Sequence, residues 1–372
     1  MPKQALVVYN PTAKSQDQNQ TWISRLVSAL SHQERYVVTL FPTREGTTSD
    51  DIIALIRPDL DLIVAAGGDG TIRSVLAALA RAKSTVPAAL VPLGTGNVLC
   101  RNLGILGEHF FADSLAHAFD PIANGVPVRI DMGTMNGHYF AGMAGAGPLS
   151  DAFMTPARGA KTNFKVLAYV KAMLETMAMR PNIFKITLSG RTFTVEAAGV
   201  FVANVEDLGL GKPCHLNTLT DGFLNLHVLD PKNFHEYMAI GFRFAAGHED
   251  ARAPHYVLRV KDVLIEAMPR RGIRSQFQRL VTMIRRLLEG KFTLARTSQF
   301  IPAMIDGDEC GTTPMQISVV PQAVTVLVPP ERVHESAASS GDYEAGEVTG
   351  FISATQIKAA ETRADETRAA SK

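Results

Sequence analysis

The chain has 372 residues, 46% of them hydrophobic and 20% charged, with 37 Lys and Arg against 36 Asp and Glu for a formal net charge of +1. That length suffices for two domains with their own cores, and the composition is that of an ordinary globular protein. The near-neutral balance excludes an overall field for nucleic acid, so any electrostatic function is local. Cys100, Cys214 and Cys310 are far apart and form no CxxC pair, which argues against a disulfide framework or zinc site and fits a reducing cytoplasm.

Met1-Pro2-Lys3-Gln4 passes straight into a strand pattern at Ala5–Tyr9, so no signal peptide is read there. No run approaches the ~18–20 apolar residues of a membrane span, so any membrane contact is expected to be peripheral. A helix at Thr21–Leu30, a strand at Tyr36–Phe41, a helix at Ser49–Arg57, a strand at Asp61–Ala66, a helix at Ile72–Lys83 and a strand at Ala88–Pro92 follow. Such alternation predicts βαβ units and a parallel sheet, with ligands beyond the carboxyl ends of the strands. After residue 127 come short β-like runs: Val128–Ile130, His138–Gly142, Ile183–Leu188, Phe193–Glu196, Val200–Val205 and Leu224–Leu229. One helix, about Phe164–Met179, interrupts them, and Ile317–Val320 and Val324–Val328 close the folded part. The spacing predicts an α/β domain over residues 1–127, completed by the last strand at about 320–330, and a mainly antiparallel β domain over 128–319. The tail, 331–372, reads as disordered.

Between the strand at Asp61–Ala66 and the next helix lies Gly67-Gly68-Asp69-Gly70-Thr71. Glycines let backbone N–H groups approach a ligand and permit φ > 0, and a helix N-terminus behind them attracts phosphate. Asp69 would repel phosphate, unless a divalent cation or a reacting hydroxyl lies nearby. The loop is neither a Walker A motif nor GxGxxG. Gly94-Thr95-Gly96-Asn97, after the next strand, reaches the same sheet edge.

With Asn10-Pro11, Thr43, Pro92-Leu93 before that second loop, Asp221-Gly222-Phe223-Leu224 and Ile305-Asp306-Gly307-Asp308, the chain resembles the diacylglycerol kinase catalytic-domain family of lipid kinases, to which sphingosine and ceramide kinases also belong. The resemblance runs from about Ala5 to Pro329 and implies a fold like that of NAD kinases and diacylglycerol kinases. It implies transfer of the γ-phosphate of ATP, with Mg²⁺, to a lipid hydroxyl. On this resemblance Asn10, Thr43, Gly67, Gly68, Asp69, Gly70, Thr71, Ile72, Arg73, Gly94 and Thr95 contact the nucleotide. Asp69 acts near the γ-phosphate through Mg²⁺ or by orienting the hydroxyl. Asp308 stands where the family has its general base, usually Glu, and the adjacent Glu309 is the alternative. A structural magnesium is expected at Asp221, with main-chain oxygens near Thr218 and Phe223; read without the resemblance, Asp221-Gly222 is simply a turn.

There are departures. Arg73 and Ser74 stand where the family carries Asn and Glu, Val98 replaces an acidic residue, and Asp151 is displaced from its usual place. His248 is a weak candidate for the acceptor cleft. Residues 268–296 carry eight basic residues against Glu289, a balance of +7, in an amphipathic pattern with Phe277, Leu280, Ile284 and Leu287 on one face. Arg274, Phe277, Arg279, Arg285 and Arg286 are candidates for docking on an anionic membrane, and packing on the second domain is the competing reading.

The expected partners are a lipid substrate and an anionic membrane surface, not nucleic acid, and a homodimer is left open. The expected location is cytoplasmic and peripherally membrane-associated. Diacylglycerol is the default acceptor, with a sphingoid base or ceramide as variants. A kinase of a soluble acceptor is a second reading, since NAD kinases share the Gly-Gly-Asp-Gly loop. A non-catalytic nucleotide or lipid sensor is a third.

Overall fold

The computed structural model describes residues 2–13, 21–31, 35–94, 96–106, 114–150, 179–206, 216–231, 233, 235–237, 255–269 and 300–339. Thr95, Asp151, His248, the expected helix up to residue 178, the basic segment beyond Pro269 and the tail beyond residue 339 lie outside them.

Strands β1 (Lys3–Tyr9), β2 (Tyr36–Pro42), β3 (Leu60–Gly67) and β4 (Ala88–Pro92) form the parallel sheet that the alternation predicts, in the order β2-β1-β3-β4. Ala5–Val8, Leu62–Ala66 and Ala88–Val91 are buried as continuous runs, as expected for strands covered on both faces. Helix α1 (Thr21–Ser31) buries Trp22, Leu26 and Leu30, one stripe at i, i+4, i+8, and the Trp22 ring meets Tyr9 edge-on at 5.9 Å. Helix α2 is shorter than expected, Ser49–Ile53, entered through a Thr48–Asp51 capping box. Helix α3 (Asp69–Arg81) starts earlier than its apolar periodicity suggests, because Gly68 serves as its N-cap. Two further helices, α4 (Val98–Asn102) and α5 (Ser114–Asn124), precede β5 (Val126–Met135).

The second half is antiparallel, as expected. β6 (His138–Phe140) pairs with β5; β7 (Met143–Ala146), β8 (Asn182–Leu188), β9 (Arg191–Ala197), β10 (Gly199–Ala203), β11 (Leu224–Leu229), β12 (His255–Val260), β13 (Asp262–Met268), β14 (Pro302–Ile305) and β15 (Asp308–Thr312) follow. Six of these make one sheet, β12-β11-β10-β7-β14-β15. Its inner face packs Val200, Val202, Leu226 and Ala303 against Phe184, Ile186, Ile265 and Ile317 of the other sheet.

The runs expected as two closing strands are one, β16 (Met315–Val328), irregular between Val320 and Val324. It runs antiparallel to β5 and β13, and beyond the irregularity Val326 lies parallel to Ala88 of β4. One strand therefore joins the parallel part to the antiparallel part in a ten-stranded sheet. The buried Asp131 holds the irregularity: one carboxylate oxygen accepts the Gln322 N–H and the other the Gly222 N–H, both at 2.7 Å.

The reading of disorder from residue 331 is corrected. Pro330–Ser339 is helix α6, with Pro at its first position and Glu331 in its first turn. Arg332 lies across Gly104 and donates to Asn102 O at 3.3 Å.

Gly133 of β5 faces Phe140 of β6, and a Cβ there would come 2.0 Å from the ring. Gly133→Ala is expected to cost about 1–3 kcal/mol of overpacking, read as a shift of the urea midpoint at constant slope.

Candidate functional site

Three strand ends build the floor of the site. Asn10 N–H donates to Ala66 O at 3.0 Å and Thr43 N–H to Tyr9 O at 2.8 Å, so Asn10 sits beside the end of β3 and Thr43 beside the end of β1. The Asn10 side chain is turned onto its own loop, where Oδ1 accepts the Thr12 N–H and hydroxyl at 2.9 and 2.8 Å. Leu93 N–H donates to Gly67 O at 2.8 Å, bringing the second loop alongside the first.

The glycines are needed for proximity rather than for a left-handed backbone. Gly67, Gly68, Gly70, Gly94 and Gly96 are absent from the positive-φ residues, and Gly68 is extended at φ −83°, ψ −177°. A Cβ on Gly94 would stand 2.6 Å from the Gly68 Cα, and one on Gly96 2.7 Å from Asp69 Oδ2. Asp69, Gly70 and Thr71 open α3, so their N–H groups have no intrahelical acceptor and the helix dipole faces the loop. Ile72 does not fit its expected role: its side chain is in the core and its N–H donates to Gly68 O at 3.1 Å.

Asp69 turns its carboxyl inward. Oδ2 accepts the Asn97 N–H at 2.7 Å and Oδ1 the Val98 N–H at 2.9 Å, capping α4 and tying the two loops together. Burial raises its pKa; the Asn97 N–H opposes that, and the nearby Asp306 carboxylate adds to it. With both oxygens so engaged, Asp69 does not fit the part of a magnesium ligand in this arrangement.

Arg73, one turn into α3, reaches the β14–β15 turn. It donates to Ile305 O and to Asp308 Oδ2, each at 2.8 Å. Between those contacts lies Asp306, whose carboxyl is buried under the β6–β7 turn and accepts the N–H groups of Ala141, Gly142 and Met143 at 2.8–3.0 Å. Burial raises its pKa, against the Arg73 charge and those three N–H bonds. The Asp308 carboxylate is exposed and lies against Gly70, where Oδ2 is 3.5 Å from a Cβ built on that glycine. Asp308, at the start of β15, thus lies beside Gly70, the residue that follows Asp69 in α3, yet the two carboxylates engage different partners. Arg73, Arg81, Ser49, His138, Asp308 and Glu309 are among the residues lining a groove of about 510 Å³.

At the expected metal turn, Asp221 Oδ1 accepts the Phe223 N–H at 2.8 Å and Oδ2 accepts Arg259 at 2.6 Å. The Thr218 hydroxyl donates to Glu206 at 3.4 Å. The Asp221 carboxylate, with one oxygen on a backbone N–H and the other on a guanidinium, does not fit a magnesium ligand in this arrangement.

Sequence reasoning did not single out Asp131, Arg259 or the Ala141–Met143 N–H groups. Asp131 had a signal, a lone carboxylate inside the apolar run Ile130–Met132, which calls for buried partners. Arg259 had none.

The family described as "Diacylglycerol kinase catalytic domain" matches residues 4–135, which hold the first loop, the second loop and Arg73. A diacylglycerol kinase of Bacillus subtilis (strain 168) is 30% identical over 240 residues, 64% of this chain and 77% of the relative. The chain belongs to the diacylglycerol kinase catalytic-domain family. A diacylglycerol kinase of Staphylococcus aureus (strain bovine RF122 / ET3-1) is 26% identical over 241 residues, 63% of this chain and 73% of its own length. Two solved structures from Bacillus anthracis strain Sterne share the fold, with TM-scores of 0.63 and 0.61 at 20% and 19% identity. Each covers 88% of this chain, with 96% and 98% of their own chains matched, and the second is described as a diacylglycerol kinase. The Arg73–Asp308 pair joins two positions that the resemblance read from the sequence marks as departures.

The two buried carboxyls set a pH dependence. Carboxyl resonances lost in Asp69→Asn and Asp306→Asn are expected to titrate above the ordinary 3.8 in ¹³C NMR. The folded state then binds more protons than the unfolded one just above that pH. The stability these groups contribute is fully present below 3.8 and is lost as pH rises through their folded-state pKa values.

Proposed function

We propose that this chain is an ATP- and magnesium-dependent lipid kinase that transfers the γ-phosphate to a hydroxyl of diacylglycerol or a related lipid, at an anionic membrane surface. The observation that supports this reading is the seating of Asp308, from the antiparallel half, against Gly70 on the first turn of α3. Phosphate and proton acceptor are then neighbours. Magnesium arrives with ATP as part of the substrate and supplies charge neutralisation.

In this reading the phosphates rest on the N–H groups that open α3, beside Asn10, Thr43 and Gly94. Asp69 holds the two loops together and keeps those N–H groups aimed at one place. The acceptor hydroxyl gives its proton to the Asp308 carboxylate as its oxygen bonds to the γ-phosphorus, and the bond to the β-phosphate oxygen breaks to release ADP. Arg73 orients Asp308 by holding Oδ2. Glu309, on the same groove, is the alternative acceptor. In this reading the acceptor is reached at the membrane surface, with the basic segment around Arg274–Arg286 as the docking candidate; no helix among the described residues is long and apolar enough to cross a membrane. The charged lining of the groove favours, as a second reading, a soluble alcohol acceptor.

The test is transfer of ³²P from labelled ATP to vesicles of diacylglycerol in anionic phospholipid, with soluble alcohols in parallel. Asp308→Asn is expected to lower kcat by ~10²–10⁴ with nucleotide affinity retained. Asp69→Ala is expected to lose transfer together with nucleotide binding, because the loops separate. Unchanged transfer in Asp308→Asn would move the base elsewhere. ATP binding without turnover on either kind of acceptor would favour a sensor.

A further inference from the structure

The family resemblance places a structural magnesium at the Asp221 turn, and the residues present disagree with it. Magnesium needs near-octahedral oxygen ligands at about 2.0–2.1 Å. Here the turn already holds a cation. The Arg259 guanidinium donates to Asp221 Oδ2 at 2.6 Å and stacks over the Phe223 ring, 4.4 Å from its centroid. The ammonium of Lys261 sits 4.9 Å from the centroid of the same ring. Among the described residues, no cluster of three or more His, Cys, Asp or Glu is placed to hold a metal.

We propose that Arg259 is a built-in replacement for the structural metal, so that the Asp221 turn forms without a divalent ion. Asp221 is close enough to Asp131 for the two carboxylates to repel one another, and the Arg259 guanidinium opposes that repulsion. A divalent ion on Asp221 would sit against the Arg259 charge and be repelled by it. The guanidinium does what an ion would do there, neutralising a half-buried carboxylate. It adds what an ion lacks, a flat face that packs on an aromatic ring. The stabilised turn matters to the whole second half. Its Gly222 N–H is bound by Asp131, which also holds the irregularity of β16 through Gln322. Arg259 itself stands on β12, opposite Asn225 of β11, the strand that leaves the turn.

The test needs no turnover and no lipid. The full chain, without nucleotide, is melted in EDTA and in millimolar Mg²⁺ or Ca²⁺, and metal binding is followed by calorimetric titration. The wild type is expected to melt at the same temperature in each buffer. Arg259→Gln is expected to melt roughly 3–8 °C lower in EDTA. It should recover part of that with metal and gain one binding site, which Asp221→Asn in the same chain removes. Arg259→Lys keeps the charge and is expected to stay indifferent to metal, which guards against Arg259→Gln simply failing to fold. A metal-induced rise in the wild-type melting temperature that Asp221→Asn abolishes would overturn the proposal. So would an Arg259→Gln chain as stable in EDTA as the wild type.

Discussion

The site depends on one close approach. The backbones of the first and second loops meet at Gly68 and Gly94 with no room for a side chain on Gly94, and the Asp69 carboxylate holds them there. An anion cradle alone would have no use for a carboxylate. Turned inward, Asp69 spends its charge on the N-terminus of α4 rather than repelling phosphate. The arrangement is costly, since burial and the neighbouring Asp306 both disfavour its charge. Backbone N–H bonds offset that cost, and a charge-assisted bond is among the stronger ones available to a protein. Small residues and one buried acid therefore hold the ends of β3 and β4 in register.

Two further contacts carry the same logic across the molecule. Arg73 ties α3 to the β14–β15 turn, and the Asp306 carboxylate ties that turn to the β6–β7 turn through three N–H bonds. β16 crosses from the antiparallel half into the parallel sheet, where Val326 meets Ala88. The position of Asp308 relative to Gly70 is then set by covalent and hydrogen-bonded continuity, not by the docking of two loosely linked bodies. That is the property a phosphotransfer site requires, because its chemistry is mostly positioning.

Much of this was legible in the chain. The alternation of apolar runs before residue 127 announced the parallel sheet, and Ala88–Pro92 and Leu224–Leu229 lie where the sequence puts them. Other elements hid for identifiable reasons. β7 is Met143-Ala144-Gly145-Ala146, too small to show a period, and β15 is exposed on nearly every residue, so no apolar pattern marks it. The tail's first ten residues look like the rest of a polar, alanine-rich segment, yet Pro330 and Glu331 start a helix that Arg332 anchors on α4. Ile72, counted among the nucleotide contacts because it follows the glycines, belongs to the core. In a helix, a neighbour in sequence faces another direction.

The sequence by itself determined the order of the loops, their glycines and the presence of carboxylates at 69, 221, 306 and 308, because local propensity and chemistry are written residue by residue. Only the tertiary structure decided what each carboxylate serves. Asp69 clamps two loops, Asp306 caps a distant turn, Asp308 pairs with Arg73, and Asp221 meets Arg259. Those partners lie 28 to 235 positions apart in the chain. A carboxylate's role follows from which donors burial leaves within reach, and that is set by packing rather than by spacing.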